Sequence, residues 1–170
     1  MMTAQIANGG YAIKPKIIVD SNPVSYEDAK QSMESGLLFD SNSESLLDKK
    51  LFKNKKNIRI IQEAMFSSTN ERFGTSYKSR IDDPKYQFAG KTGTSQVKRI
   101  SKRERELDLE LEQIPYKDRD HALYVAYGPY INPRYALSII VEHGGSGSKT
   151  AAPIAKKLFK LIIDRHDLRN

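Results

Sequence analysis

A chain of 170 residues is long enough to bury a core and short enough to be expected as one domain. It has no cysteine, which excludes disulfides, thiolate metal sites and cysteine nucleophiles, and no apolar run near the length of a membrane span. Basic residues outnumber acidic ones 28 to 21, a formal charge of +7, yet aromatics are not interleaved with them as nucleic-acid platforms require.

Residues 1–8 read as the end of a helix, with Met1, Met2, Ile6 and Ala7 on one face and Gly9-Gly10 as its stop. A start inside a helical pattern without a capping residue hints at truncation. Met1 to Gln5 has no basic region before an apolar one, so no signal peptide is expected. Residues 11–19 are strand-like, with Pro15 suiting an edge. The variable polar segment 20–55 reads as loop with short helices. Asn57 to Ser67 predicts an amphipathic helix through Ile58, Ile61, Ala64 and Met65, its stripe broadened by Ile60.

A polar connection, Ser67–Pro84, leads to a predicted strand over Lys85–Val97. Residues 98–120 hold 14 charges in 23 positions and read as a solvated excursion. In 121–127 and 135–142 apolar residues alternate, with Tyr135, Leu137, Ile139 and Val141 on one side. Gly128 to Pro133 between them is turn chemistry, so the two runs predict an antiparallel hairpin. Gly144 to Ser148 is a glycine-rich break. A closing helix follows, lined by Ala151, Ile154, Ala155, Leu158 and Ile162, with Lys156, Lys157 and Lys160 outside. Pro153 falls in its first turn, where a missing N–H is tolerated. The fold class expected is α+β, an antiparallel sheet flanked by helices, over residues 1–170.

The chemistry concentrates in Phe88 to Val97. Lys91 and the hydroxyls of Thr92 and Thr94 stand on one strand, the two threonines on the same face. Gly93 between them lets a ligand approach the backbone. Such a strand suits an extended ligand that bears a carboxylate, with Lys91 supplying positive potential from beneath.

Lys91-Thr92-Gly93 matches the Lys-Thr-Gly signature of penicillin-binding proteins and class A β-lactamases. Three residues recur by chance; the surrounding pieces carry the resemblance. Gln5 to Tyr11 with Lys14-Pro15, the turn Phe73-Gly74-Thr75-Ser76, the runs His121–Tyr127, Asn132–Ala136 and Val141–Gly145, and Ala151 to Ala155 all stand in the family's order. The chain thus resembles the C-terminal part of a class B penicillin-binding transpeptidase domain, closest to the elongation-type group (penicillin-binding protein 2) of alphaproteobacteria.

That resemblance implies a partial penicillin-binding protein fold and a peptidoglycan D,D-transpeptidase acting without cofactor or metal at the periplasmic face of the inner membrane. Its implied ligands are the stem peptide and β-lactams. Its implied partners are elongation-machinery proteins and the missing N-terminal part of the domain. Lys91 would support proton transfer, Thr92 and Thr94 would bind the terminal carboxylate across Gly93, and the Thr94 N–H would donate to the oxyanion.

The family's Ser-x-x-Lys nucleophile is not found. Ser95–Lys98 spells it on a strand, where residues three apart face opposite ways, and Ser146–Lys149 spells it in the glycine break. Ser68-Thr69-Asn70 spells Ser-x-Asn but reads as a polar helix end. The expectation is a chain inactive alone. Two other readings compete: a small hydrolase using Ser146 and Lys149, and a basic module binding nucleic acid or an anionic wall polymer. His121, His143 and His166 are too far apart in sequence to suggest a metal site.

Overall fold

The computed structural model describes residues 1–13, 15, 51, 54–98 and 109–168. Helix α1 covers Met2–Ala7 and ends as expected, because Gly9 and Gly10 take φ of 85° and 93°. Those angles are open to glycine and strained for other residues. The Asn8 carboxamide oxygen accepts from the N–H groups of Gly10 and Tyr11 and fixes the reversal. Most of the strand expected over 11–19, and the polar segment through residue 50, lie outside the described residues.

Helix α2 runs from Lys55 to Asn70, and the Asn54 side chain accepts the Lys56 N–H at 2.9 Å as its N-cap. Its buried residues are Ile58, Met65 and Thr69. Ile60 is 62% exposed and does not broaden the stripe; Ala64 is exposed as well. Ile60 lies one residue, about 100° of arc, from the half-buried Ile61, enough to carry it off the packed face.

Strands β1 (Ala89–Ser95), β2 (His121–Gly128) and β3 (Tyr135–Val141) form one antiparallel sheet in that order. Among the described residues β1 is therefore an edge. The register sets Lys91 opposite Val125, Thr92 opposite Tyr124 and Thr94 opposite Ala122. Alternation then divides the molecule into two packed layers. Ala122, Tyr124 and Ala126 join Phe88 and the last helix in one core, while Ala89 and Tyr127 join Ile6 and Met65 in the other.

The last helix, α3, spans Ala152–Asp167 behind a wider π turn at Gly147–Ala151, with Pro153 in its first turn. It buries Ala152, Ala155, Phe159 and Ile163. Ile154 and Leu158, expected in the lining, are 39% and 36% exposed. The predicted hairpin is present, with Tyr135, Leu137, Ile139 and Val141 half-buried and the residues between them exposed. Of the charged excursion, residues 109–120 are described and hold two short 3-10 turns, Leu111–Gln113 and Tyr116–Asp118. Its Leu111 packs so closely on Gly145 that a Cβ there would meet the leucine at 2.6 Å.

Candidate functional site

Strand β1 presents the four expected site residues together. Lys91 and Thr94 are exposed, and Thr92 and Gly93 are half-buried. Lys91 leaves the opposite face from Thr92, yet its ammonium curls back to donate to the Thr92 carbonyl at 2.9 Å and to Thr92 Oγ1 at 3.4 Å. The cation thus stands beside the hydroxyl, as a site for a carboxylate needs. Gly93 serves the chain itself as well as any ligand. A Cβ there would crowd Leu123 at 3.2 Å, and Gly147 of the π turn sits against its backbone.

Two residues not placed in the site by sequence reasoning join it. Thr75 Oγ1 lies 3.2 Å from Thr92 Oγ1 and 3.3 Å from Ser68 Oγ. Ser68 belongs to the last turns of α2, so the reading of Ser68-Thr69-Asn70 as a polar helix end holds for its position but understates its contacts. The signal for Thr75 was the Gly74-Thr75 pair. A Cβ at Gly74 would stand 2.4 Å from the carbonyl oxygens of Ser67 and Ser68, so only glycine lets this turn dock on α2.

Beneath the turn lies a buried hydroxyl cluster. Tyr124 OH is 2.9 Å from Thr69 Oγ1 and 3.2 Å from Ser76 Oγ, and Ser76 Oγ also donates to the Ser68 carbonyl. Burial pushes the Tyr124 phenol above its ordinary value, partly offset by the hydroxyls of Ser76 and Thr69. A Cβ at Gly90 would collide with the Tyr124 hydroxyl at 2.2 Å, so the tyrosine reaches this position only because residue 90 is glycine.

On the Lys91 side of the sheet, an apolar cavity of about 610 Å³ opens between α1, α2 and the sheet. Met2, Ile6, Ile61, Met65, Phe73 and Val125 form its walls, with Lys91, Ser68 and Thr75 at the polar end. A second cavity of about 590 Å³ lies beyond Thr94, between residues 109–120 and the Gly145–Thr150 turn.

The two Ser-x-x-Lys spellings are engaged elsewhere. Ser146 Oγ accepts the Lys149 backbone N–H and contacts Ser148 Oγ at 3.0 Å, so it caps the π turn. Lys98 pairs with Asp118 at 3.3 Å, beyond the exposed end of β1. His121 and His143 do meet, despite their separation in sequence. The His143 N–H donates to His121 Nδ1, and His143 Nδ1 lies 3.0 Å from the Arg119 carbonyl, which pins the returning excursion to the turn after β3. Among the described residues no group of three or more His, Asp or Glu could hold a metal ion, and no helix is long and apolar enough to cross a membrane.

Residues 1–160 match the family described as "Penicillin binding protein transpeptidase domain". The peptidoglycan D,D-transpeptidase MrdA of Salmonella typhimurium (strain SL1344) is 38% identical over 105 residues, 62% of this chain and 16% of that protein. MrdA of Acinetobacter baumannii is 27% identical over 157 residues, 91% of this chain and 20% of that protein. Among solved structures, Pseudomonas aeruginosa PBP2 in complex with WCK 5153 superposes with a TM-score of 0.62 at 27% identity, covering 94% of this chain and 28% of that one. PBP2 of Helicobacter pylori, solved in complex with MreC, gives 0.52 at 32% identity, covering 65% and 18%. The chain thus spans a sixth to under a third of the length of these relatives.

Proposed function

Because the chain belongs to the penicillin binding protein transpeptidase family, in its elongation-type PBP2/MrdA group, we propose that it supplies the substrate-binding wall of a peptidoglycan D,D-transpeptidase. The observation that carries this reading is the Lys91 ammonium held beside the Thr92 hydroxyl on an edge strand. An extended stem peptide adds along that edge. Its terminal carboxylate takes hydrogen bonds from Thr92 and Thr94, and Gly93 leaves the backbone between them open.

The chemistry follows from that placement. A serine hydroxyl attacks the carbonyl of the D-Ala-D-Ala bond, forming an ester to the enzyme, and D-alanine leaves with the proton. The amine of a neighbouring strand then attacks the ester, forming the cross-link and regenerating the hydroxyl. A β-lactam acylates the same serine. Lys91 supports the proton transfers, and the Thr94 N–H donates to the oxyanion, a contact whose loss typically costs about 10²–10³ in rate. In this reading the nucleophile comes from another part of the domain, since Ser146 caps the π turn and Ser95 lies on the strand. The setting is the periplasmic face of the inner membrane, with elongation proteins such as MreC as partners.

The test is a titration of the isotope-labelled chain with diacetyl-Lys-D-Ala-D-Ala and with its L,L isomer. The D,D peptide is expected to shift the amides of residues 91–95 and the isomer to leave them unmoved. Fluorescent penicillin is expected not to acylate the chain alone; a stable adduct on any of its serines would overturn the missing nucleophile. Steeply salt-dependent DNA binding without discrimination between the peptides would favour the basic module instead.

A further inference from the structure

The turn Phe73–Ser76 touches the substrate wall through one atom. Thr75 Oγ1 is the middle of three hydroxyls in series, Ser68 Oγ, Thr75 Oγ1 and Thr92 Oγ1, at spacings of 3.3 and 3.2 Å. The turn is fixed from both sides. Gly74 packs on the last carbonyls of α2, the Ser76 N–H and hydroxyl both donate to the Ser68 carbonyl, and Ser76 meets the buried Tyr124 phenol.

A hydroxyl has one proton to donate and two lone pairs to accept with. At the far end, Lys91 can only donate, and it reaches Thr92 Oγ1 at 3.4 Å. If Thr75 also donates to Thr92 Oγ1, both lone pairs of that oxygen are filled from within the protein. The proton of Thr92 must then point away from both donors. With the Thr75 proton so engaged, the contact with Ser68 Oγ is one in which Ser68 donates. Hydrogen bonds running in one direction polarise one another.

We infer that Thr75 is a positioning residue for the substrate site: it donates to Thr92 Oγ1 and so turns the Thr92 hydroxyl proton toward a ligand carboxylate. The ligand class rests on the proposed transpeptidase reading; the orientation of Thr92 does not. Thr75 itself touches no substrate in this arrangement.

The test compares Thr75→Val, which keeps the shape and removes the donor, with Thr75→Ser, which keeps the donor. Three-bond couplings between the Thr92 hydroxyl proton and Hβ, read at low temperature, report the hydroxyl rotamer in the free chain, and titration with diacetyl-Lys-D-Ala-D-Ala reports affinity. In Thr75→Val, the Thr92 hydroxyl is expected to average between rotamers and the peptide to bind about fivefold to tenfold more weakly. Thr75→Ser is expected to restore both. Should Thr75→Val fail to give a dispersed amide spectrum, Ser68→Ala interrupts the same series one step earlier, with a smaller effect in the same direction. A single Thr92 hydroxyl rotamer together with unchanged affinity in the valine variant would overturn the inference. Failure of the wild-type chain to bind the peptide would sink the transpeptidase reading, and the rotamer measurement would still decide the role of Thr75.

Discussion

Two tyrosines three positions apart on β2 show how much a single hydroxyl decides here. Tyr124 and Tyr127 are both buried, at 0% and 1% exposure. The Tyr124 phenol meets Thr69 and Ser76, whereas the Tyr127 phenol has no hydrogen-bond partner among the described residues. Burial pushes both phenols to higher pKa, and for Tyr127 the charge of Tyr130 adds to it. Removing the Tyr124 oxygen leaves two buried hydroxyls short of a partner, which costs about 1–3 kcal/mol. Removing the Tyr127 oxygen takes away a group that was desolvated without compensation. Tyr124→Phe is therefore expected to lower the urea midpoint clearly, and Tyr127→Phe to leave it unchanged or raise it. Equal losses in the two variants would contradict this account. Because Tyr124 holds Ser76, its loss should also disturb Thr75, while Tyr127→Phe should not.

At the scale of elements, what the sequence made legible depended on whether its pattern had one solution. The hairpin of β2 and β3 could be read because two alternating runs flank a Gly-Pro turn. The orientation of α3 could not. Its apolar residues cover about half the circumference, so periodicity alone does not say which part of that wide arc turns inward. Packing chooses the arc holding Ala151, Ala152 and Ala155, whose small side chains allow close approach, with Phe159 stacked on Phe88 at 4.9 Å. The site divides in the same way. Lys91 to Thr94 are contiguous and could be named as candidates from the sequence, but Thr75 meets Thr92 across 17 positions through a turn that only tertiary packing fixes. The start of α3 reaches the site strand through Gly147. A Cβ at that position would stand 2.5 Å from the Leu123 carbonyl and 2.7 Å from that of Gly93. Backbone cannot yield as a side chain can, so Gly147→Ala is expected to cost about 1–3 kcal/mol by overpacking. It should also displace the amide resonances of residues 92–94; loss of stability without those shifts would mean that α3 does not press on the site strand.

The whole molecule carries +7, and acid adds to that charge and to its self-repulsion. What opposes it at one end of the sheet is a cluster gathered from three distant parts of the chain. Lys85 ahead of β1 lies 2.9 Å from Asp167 and 3.6 Å from Asp164, Arg134 ahead of β3 lies 3.8 Å from Asp167, and the Tyr86 hydroxyl donates to Asp164. Carboxylates in the last turn of a helix oppose its dipole, so these two are placed for their partners and not for α3 itself. The hydrogen bond from Lys85 holds the Asp167 carboxyl below its ordinary pKa, with the charges of Lys85, Arg134 and His166 adding to it. A pKa lower in the folded chain than in the unfolded one gives stability that is present above the unfolded value. It is lost as the pH falls through the folded value. The groups are open to solvent, so the contribution is small and screened by salt. Asp167→Asn is expected to lower the urea midpoint slightly at neutral pH and low salt. The gap from wild type should close as the pH drops below the aspartate range of about 4, and also as salt is added. A gap that stays constant into acid would mean that α3 is held to the sheet by its apolar face alone, and that the cluster only decorates the junction.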